Sequence, residues 1–251
     1  MFSTLRSVRH WHRYREIVGI FFRHGFDFAF DQLEPDWHSL RRVLRLPARK
    51  KLSPAPGELA LHFRLALEEL GPTFIKFGQI LSTRPDLLPP VYIAELSKLQ
   101  DNVPPAPWEM IRETLVQELG VEPEQVFTTI YPQPMAAASL AQVHAATLPG
   151  GHEVVVKVQR PGITAVISTD LEILSSMAAR AQTTQWGKVY DFVSMANDFA
   201  FILRNELDYR REGRNADRFR KNFVHESHLY IPHIYWEYSS QRVLVLERIH
   251  G

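Results

Sequence analysis

The stretch AQVHAATLPGGHEVVVKVQRPG, residues 141–162, decides the fold. Two runs rich in β-branched residues flank Pro149-Gly150-Gly151, which is the signature of a hairpin. In the second run Val155 and Lys157 fall on one face of a strand and Val156 and Val158 on the other. A lysine among valines either sits at a sheet edge and points to water or lines a site and holds an anion. The β character begins near Val126, with VFTTIYPQP, and ends after the hairpin.

Helical patterning surrounds it. Upstream, ELALHFRLALEEL (58–70) repeats apolar residues at helical spacing and stops at Gly71. Pro72 suits a first helical position, so a new helix opens there. On that helix Phe74, Phe77 and Leu81 share one stripe, while Lys76 and Gln79 share another. The reading continues with a helix from Pro90 to about Gln100 and a third, APWEMIRETLVQELG, ending at Gly120. Downstream, helices run from about Ile167 to Asn222 with a break near Gly187. YIPHIYWEY (230–238) and QRVLVLERI (241–249) read as a second hairpin. Helices, hairpin, helices, hairpin is an α+β order. The boundaries fall at 57/58, after the break LPARKKLSPAPGE, and at 125/126.

Composition narrows the chemistry. The 251 residues are 45% hydrophobic, enough for a sizeable core, and the net charge of +1 offers no global field for nucleic acid. With no cysteine, disulfides, thiolate metal sites and a cysteine nucleophile are excluded. No apolar run reaches the length of a membrane span. Residues 1–50 carry ten Lys/Arg against five Asp/Glu and include GIFFRHGFDFAF (19–30). Such a segment docks on an anionic membrane or a partner, or else packs its aromatics, Phe21 and Phe22 among them, on the main domain.

Two further stretches carry chemistry. PMAAASLAQVH (134–144) offers Ala136, Ala137, Ala138 and Ser139 in a small-residue turn. Such a turn lets backbone approach a phosphate, or it is simply a packing segment. NELDYRREGRNADRF (205–219) carries Glu206, Asp208 and Glu212. Read as one helix, it places Asp208 and Glu212 on one face and turns Glu206 about 160° from Asp208. A carboxylate there can meet Lys157, or pair with the arginines of a solvated helix. Small-residue turn, strand lysine, carboxylate helix and further strands, in that order, is the layout of a protein-kinase amino-terminal lobe, with VVVK (154–157) in place of Val-Ala-Ile-Lys.

Here the chain resembles the UbiB-type atypical protein kinases, the family tied to ubiquinone biosynthesis. Lys76-Phe77-Gly78-Gln79 resembles the family's Lys-x-Gly-Gln signature, within LGPTFIKFGQILSTRPDLLP and ELSKLQDNVPP. Ala136–Ser139 is similar to its alanine-rich loop, VVVKVQRPGI to its strand lysine and turn, and NELDYRREGRNADRF to its Glu-x-Asp helix. The likeness spans about residues 58–251. It implies a helical extension packed on a kinase-like N-lobe, and an ATP-dependent kinase or ATPase. Ala136–Ser139 and Lys157 would bind nucleotide. Lys76 and Gln79 would face its cleft, with Glu206, Asp208 and Glu212 pairing the lysines in an order left open. ATP and Mg2+ are the implied cofactors. The implied partners are a nucleotide, ubiquinone precursors or a membrane surface, and ubiquinone-biosynthesis proteins. The implied location is the cytoplasm or the cytoplasmic face of the inner membrane.

No His-x-Asp loop with a downstream Asn and no Asp-Phe-Gly occurs in the sequence. VLVLERIHG (243–251) resembles the fifth strand and hinge, so the C-lobe and metal ligands are expected beyond it. The segment alone is expected to be inactive, with no metal site of its own. The competing expectation is a non-catalytic docking module with a pseudokinase-like lobe.

Overall fold

A computed structural model describes residues 2–28, 56–100, 103–226 and 228–250. The chain divides into two compact units, each built from two segments. The first is Met1–Gln100 with Ala165–Phe201, and the second is Asp101–Thr164 with Ile202–Gly251.

The first unit is helical. It contains α1 (Phe2–Arg23), α2 (Pro56–Leu70), α3 (Pro72–Ser82) and α4 (Pro90–Leu96). Most of α6 (Ile163–Gln182) and of α7 (Phe192–Glu206) completes it. Gly71 separates α2 from α3 because the chain reverses there at φ 90, which costs glycine nothing. Pro72 opens α3 as its spacing predicts. The helix read from Pro90 to Gln100 stops at Leu96, where Ser97, Lys98 and Leu99 continue only as turns. Ile17, Ile20, Leu67, Phe74, Leu96 and Ile173 make the core. Phe21 packs against this core, with rings 6.3 Å from Phe63 and 5.9 Å from Phe26. Much of the remaining basic segment, residues 29–55, lies outside the described residues.

A buried ion pair ties this unit together. Asp170 on α6 is fully buried. It accepts bonds from Arg13 Nε at 2.7 Å and Arg13 Nη2 at 3.1 Å, and from the Thr73 hydroxyl at 2.5 Å. Arg13 Nη2 also donates to the Leu70 carbonyl at 2.7 Å, at the end of α2. One carboxylate thus joins α1, the α2–α3 junction and α6. Gly78 fills a second tight place: a Cβ there would lie 2.3 Å from Leu99 Cδ1 and 2.7 Å from Leu67 Cδ1. Gly78→Val is expected to lower stability by about 2 kcal/mol, since overpacked cores lose roughly 1–3 kcal/mol. Urea unfolding of the variant checks it.

The second unit holds one antiparallel sheet in the order β1-β2-β3-β4. The strands are β1 (Thr129–Ala137), β2 (Ala141–Thr147), β3 (Glu153–Gln159) and β4 (Val243–Glu247). Gly150 and Gly151, at φ 91 and 84, make the β2–β3 turn. One face of the sheet, with Val154, Val156, Val158, Val243 and Val245, packs on α5 (Trp108–Leu119) through Ile111 and Leu115. The other face meets α8 (Tyr209–Asn222), where Tyr209 clusters with Ala141, Ile234 and Leu244.

The second hairpin does not form. YIPHIYWEY contributes a single isolated bridge, Ile234 to Leu246, and a 3-10 turn at Trp236–Tyr238. Pro232 has no N–H to donate to a ladder. Trp236 donates its indole N–H to Asp217 at 2.7 Å, which draws the segment onto α8. The sheet therefore has four strands among the described residues.

His144 on β2 is fully buried against Trp108, and burial pushes its pKa below the ordinary histidine value. The neutral ring fits its partners: Nδ1–H donates to the Tyr131 carbonyl at 2.9 Å and Nε2 accepts from the Gln142 amide at 3.3 Å. A histidine depressed in the folded state adds stability above its unfolded pKa, about 6.5, and loses it as pH falls below that. Unfolding free energy is expected to drop by up to about 1 kcal/mol per pH unit below about 6.5. His144→Gln should flatten that slope in denaturation curves taken at pH 5 to 7.

Candidate nucleotide site

The site is built on β3. Val143 of β2 pairs with Lys157, which pairs with Leu244 of β4, and Ala136 of β1 pairs with Val143. Cross-strand partners share a face. This row therefore lies on the face turned toward α8, while the buried valines occupy the other. The register makes Lys157 an inner-strand lysine with strands on both sides, and the edge reading falls away.

Lys157 meets Glu212 in a two-pronged ion pair, with Nζ 2.9 Å from Oε1 and 2.7 Å from Oε2. Its Nζ also stands 4.8 Å above the centre of the Tyr209 ring. The lysine side chain is 29% exposed, so an anion can still reach the ammonium. Tyr209 is 2% exposed, and its hydroxyl has no hydrogen-bond partner. Burial first, then the charges of Glu212 and Glu206, raise its pKa far above the ordinary phenol value. The ring is thus a neutral platform under a fixed cation.

Of the three acidic candidates, only Glu212 reaches Lys157. Glu206 ends α7 and acts on Tyr209 electrostatically. Asp208 does not share a helix face with Glu212, because the helix breaks between Glu206 and Tyr209. Asp208 is the N-cap of α8: it accepts from the Arg210 amide at 3.2 Å and lies 3.8 Å from Arg214. Aspartate is a preferred cap because its side chain satisfies an amide left unpaired at a helix start. The signal for this was present in Leu-Asp-Tyr-Arg. Tyr209 was missed as a partner, though it stands one helical turn before Glu212.

The small-residue turn joins β1 to β2. The Ala138 amide donates to the Ala141 carbonyl at 2.8 Å, which closes it. Arg160 donates to the Ala138 carbonyl at 3.1 Å and pins it from the end of β3. Ala136 is exposed, Ala137 and Ala138 are half-buried, and Ser139 is fully buried. The exposed part of the turn is therefore Ala136 to Ala138, not Ser139.

Lys76 and Gln79 stand in the first unit, on α3. Gln79 donates to the Leu99 carbonyl at 3.4 Å, and both side chains are half-buried. Phe77 between them turns to Phe199, with ring centres 5.1 Å apart. Among the described residues no three carboxylates or histidines converge to hold a metal. No helix among them is long and apolar enough to cross a membrane.

Residues 98–251 match the ABC1 atypical kinase-like domain. A protein of Marinobacter nauticus described as "Probable protein kinase UbiB" is 50% identical over 190 residues, which cover 75% of this chain and 35% of that protein. Its counterpart in Cellvibrio japonicus is 41% identical over 244 residues, covering 95% of this chain and 43% of that one. The chain thus spans about two fifths of the length of the curated relatives it matches. Among solved structures, Rv3197 of Mycobacterium tuberculosis, described as a complex with erythromycin, superposes with a TM-score of 0.54 at 30% identity. That match covers 74% of this chain and 46% of Rv3197.

Proposed function

Because the chain belongs to the ABC1 atypical kinase-like family, we propose that its second unit is the nucleotide-holding lobe of an ATP-dependent kinase or ATPase. The observation that carries this reading is the Lys157–Glu212 pair, reaching from an inner strand to the helix across the sheet face. In a kinase-type lobe that pair aims the ammonium at the α/β-phosphates. Glu212 fixes the lysine's direction, Tyr209 supports it from beneath, and Ala136–Ala138 leave room for phosphate against backbone. When bound, ATP with Mg2+ supplies the phosphoryl group and neutralises its charge. Lys76 and Gln79 are the first unit's candidates in the same reading, with Glu206 and Asp208 as secondary ones. The relatives' name UbiB supports a role in ubiquinone biosynthesis, with ubiquinone precursors, a membrane surface on the cytoplasmic side and other proteins of that pathway as partners.

Competitive acetylation tests the nucleotide reading. ATP is expected to protect Lys157 from an acetylating reagent while Lys98 and Lys221 react as before, read by mass spectrometry. Equal labelling of Lys157 with and without ATP sinks it.

A further inference from the structure

A cavity of about 500 Å³ opens within the first unit, walled by α2, α3, the turn after α3, α6, the turn that follows α6, and α7. Phe63, Phe77, Leu88, Met177, Met195 and Phe199 carry most of its character. Among the described residues, Trp186 and Tyr190 contribute the only nitrogen or oxygen atoms of the lining side chains. Among the described residues no charged side chain lines it. The charges lie alongside: Arg84 and Asp86 pair on the turn that supplies Leu87 and Leu88, and both are about half exposed. Asp198, on the helix that supplies Met195 and Phe199, acts on Arg84 electrostatically.

Protein interiors contain few voids larger than a water molecule. Unlike such a void, this hollow is partly open to solvent, and its volume falls in the range of small-molecule sites, roughly 300–1,000 Å³. Apolar cavities far smaller stay dry and take up hydrocarbon guests. Aromatic rings offer faces and edges to such a guest, and the two methionines adapt to its shape.

We propose that this cavity is a binding site for an uncharged, hydrocarbon-rich small molecule taken up from solution. The site does not depend on the nucleotide reading. Every lining residue among the described ones belongs to the first unit, whereas Lys157 and Glu212 belong to the second. Failure of ATP to protect Lys157 leaves it standing, and the reverse holds too.

The methionines supply the test. Met177 and Met195 line the cavity, while Met110 and Met135 are exposed in the second unit. With methyl-labelled methionine, decanol is expected to shift the NMR signals of Met177 and Met195 saturably and leave Met110 and Met135 in place. The fluorescence of N-phenylnaphthylamine should rise on binding and fall as decanol displaces it. Ala178→Trp, which fills the cavity from α6, should weaken the probe roughly tenfold or more, a loss that stands clear of assay scatter. Ala196→Leu does the same from α7 if the tryptophan variant does not fold. Shifts of equal size at all four methionines, binding that never saturates, or probe affinity untouched by the filling variants would overturn the proposal. So would shifts at Met177 and Met195 produced by phosphatidylcholine vesicles and not by decanol, which would mark a membrane contact instead.

Discussion

Lys157→Met is expected to weaken ATP binding about 10- to 100-fold while leaving the melting temperature nearly unchanged. The binding loss follows from the lysine's charge. A hydrogen bond to a charged group contributes about 1.5–3 kcal/mol, and methionine keeps the stem without the ammonium. The small stability change follows from exposure: Lys157 and Glu212 are 29% and 49% exposed, and pairs so open to water contribute about 1 kcal/mol or less. The two readouts therefore separate a nucleotide-binding lysine from a structural one. Glu212→Gln should fall between wild type and Lys157→Met, because it loosens the ammonium without removing it. Tyr209→Phe should match wild type, since the hydroxyl has no partner to lose, whereas Tyr209→Leu takes away the ring beneath the cation. Titration with a fluorescent ATP analogue gives the affinities. A large fall in melting temperature with unchanged affinity in Lys157→Met would assign the pair to folding alone.

Asp170→Ala should be the most damaging single change in the first unit, at about 2–4 kcal/mol. Breaking a buried pair from one side costs roughly 3–5 kcal/mol, because the remaining charge is left uncompensated. The figure is trimmed here because Arg13 is 17% exposed and also bonds Glu16 at 2.9 Å. The Thr73 hydroxyl loses its acceptor in the same step. The double variant Arg13→Met with Asp170→Leu is expected to recover much of the loss, because an apolar pair of similar volume removes the desolvation penalty along with the charges. Urea unfolding of the single and double variants measures this. A double variant as unstable as Asp170→Ala would show that the bonds to Thr73 and Leu70, not the charge, hold the junction.

Local grammar made much of this legible in the sequence. Gly71-Pro72 marked the α2–α3 junction because glycine alone takes a positive φ without cost and proline fixes φ at a value that suits a helix start. Pro149-Gly150-Gly151 marked the β2–β3 turn because both glycines take positive φ there. The strand alternation around Lys157 was readable too. Which carboxylate meets the lysine was not, because three candidates lay within seven residues. The choice depended on a helix break that leaves Asp208 as an extended cap and puts Glu212 inside α8. YIPHIYWEY misled because its β-rich composition is local, whereas the pull of Asp217 on Trp236 is not. Nothing in the sequence tied Arg13 to Asp170, which stand 157 residues apart. The cavity was hidden likewise: its lining comes from four helices and two turns, and each helix alone reads as an ordinary amphipathic face.

The interleaving of the two units bears on how such a gene can be cut and shared. The likeness to the ABC1 domain begins at residue 98, close to where the first unit's leading segment ends at Gln100. A recombination event at that codon would look clean on paper. It would nonetheless carry residues 165–201 away from the helices they complete, bringing Asp170 into a foreign genome without Arg13 or Thr73 and Phe199 without Phe77. The two stretches are inherited safely only as a linked pair. A hybrid made by swapping the leading hundred codons between distant relatives should therefore express poorly until its α6 is exchanged along with them.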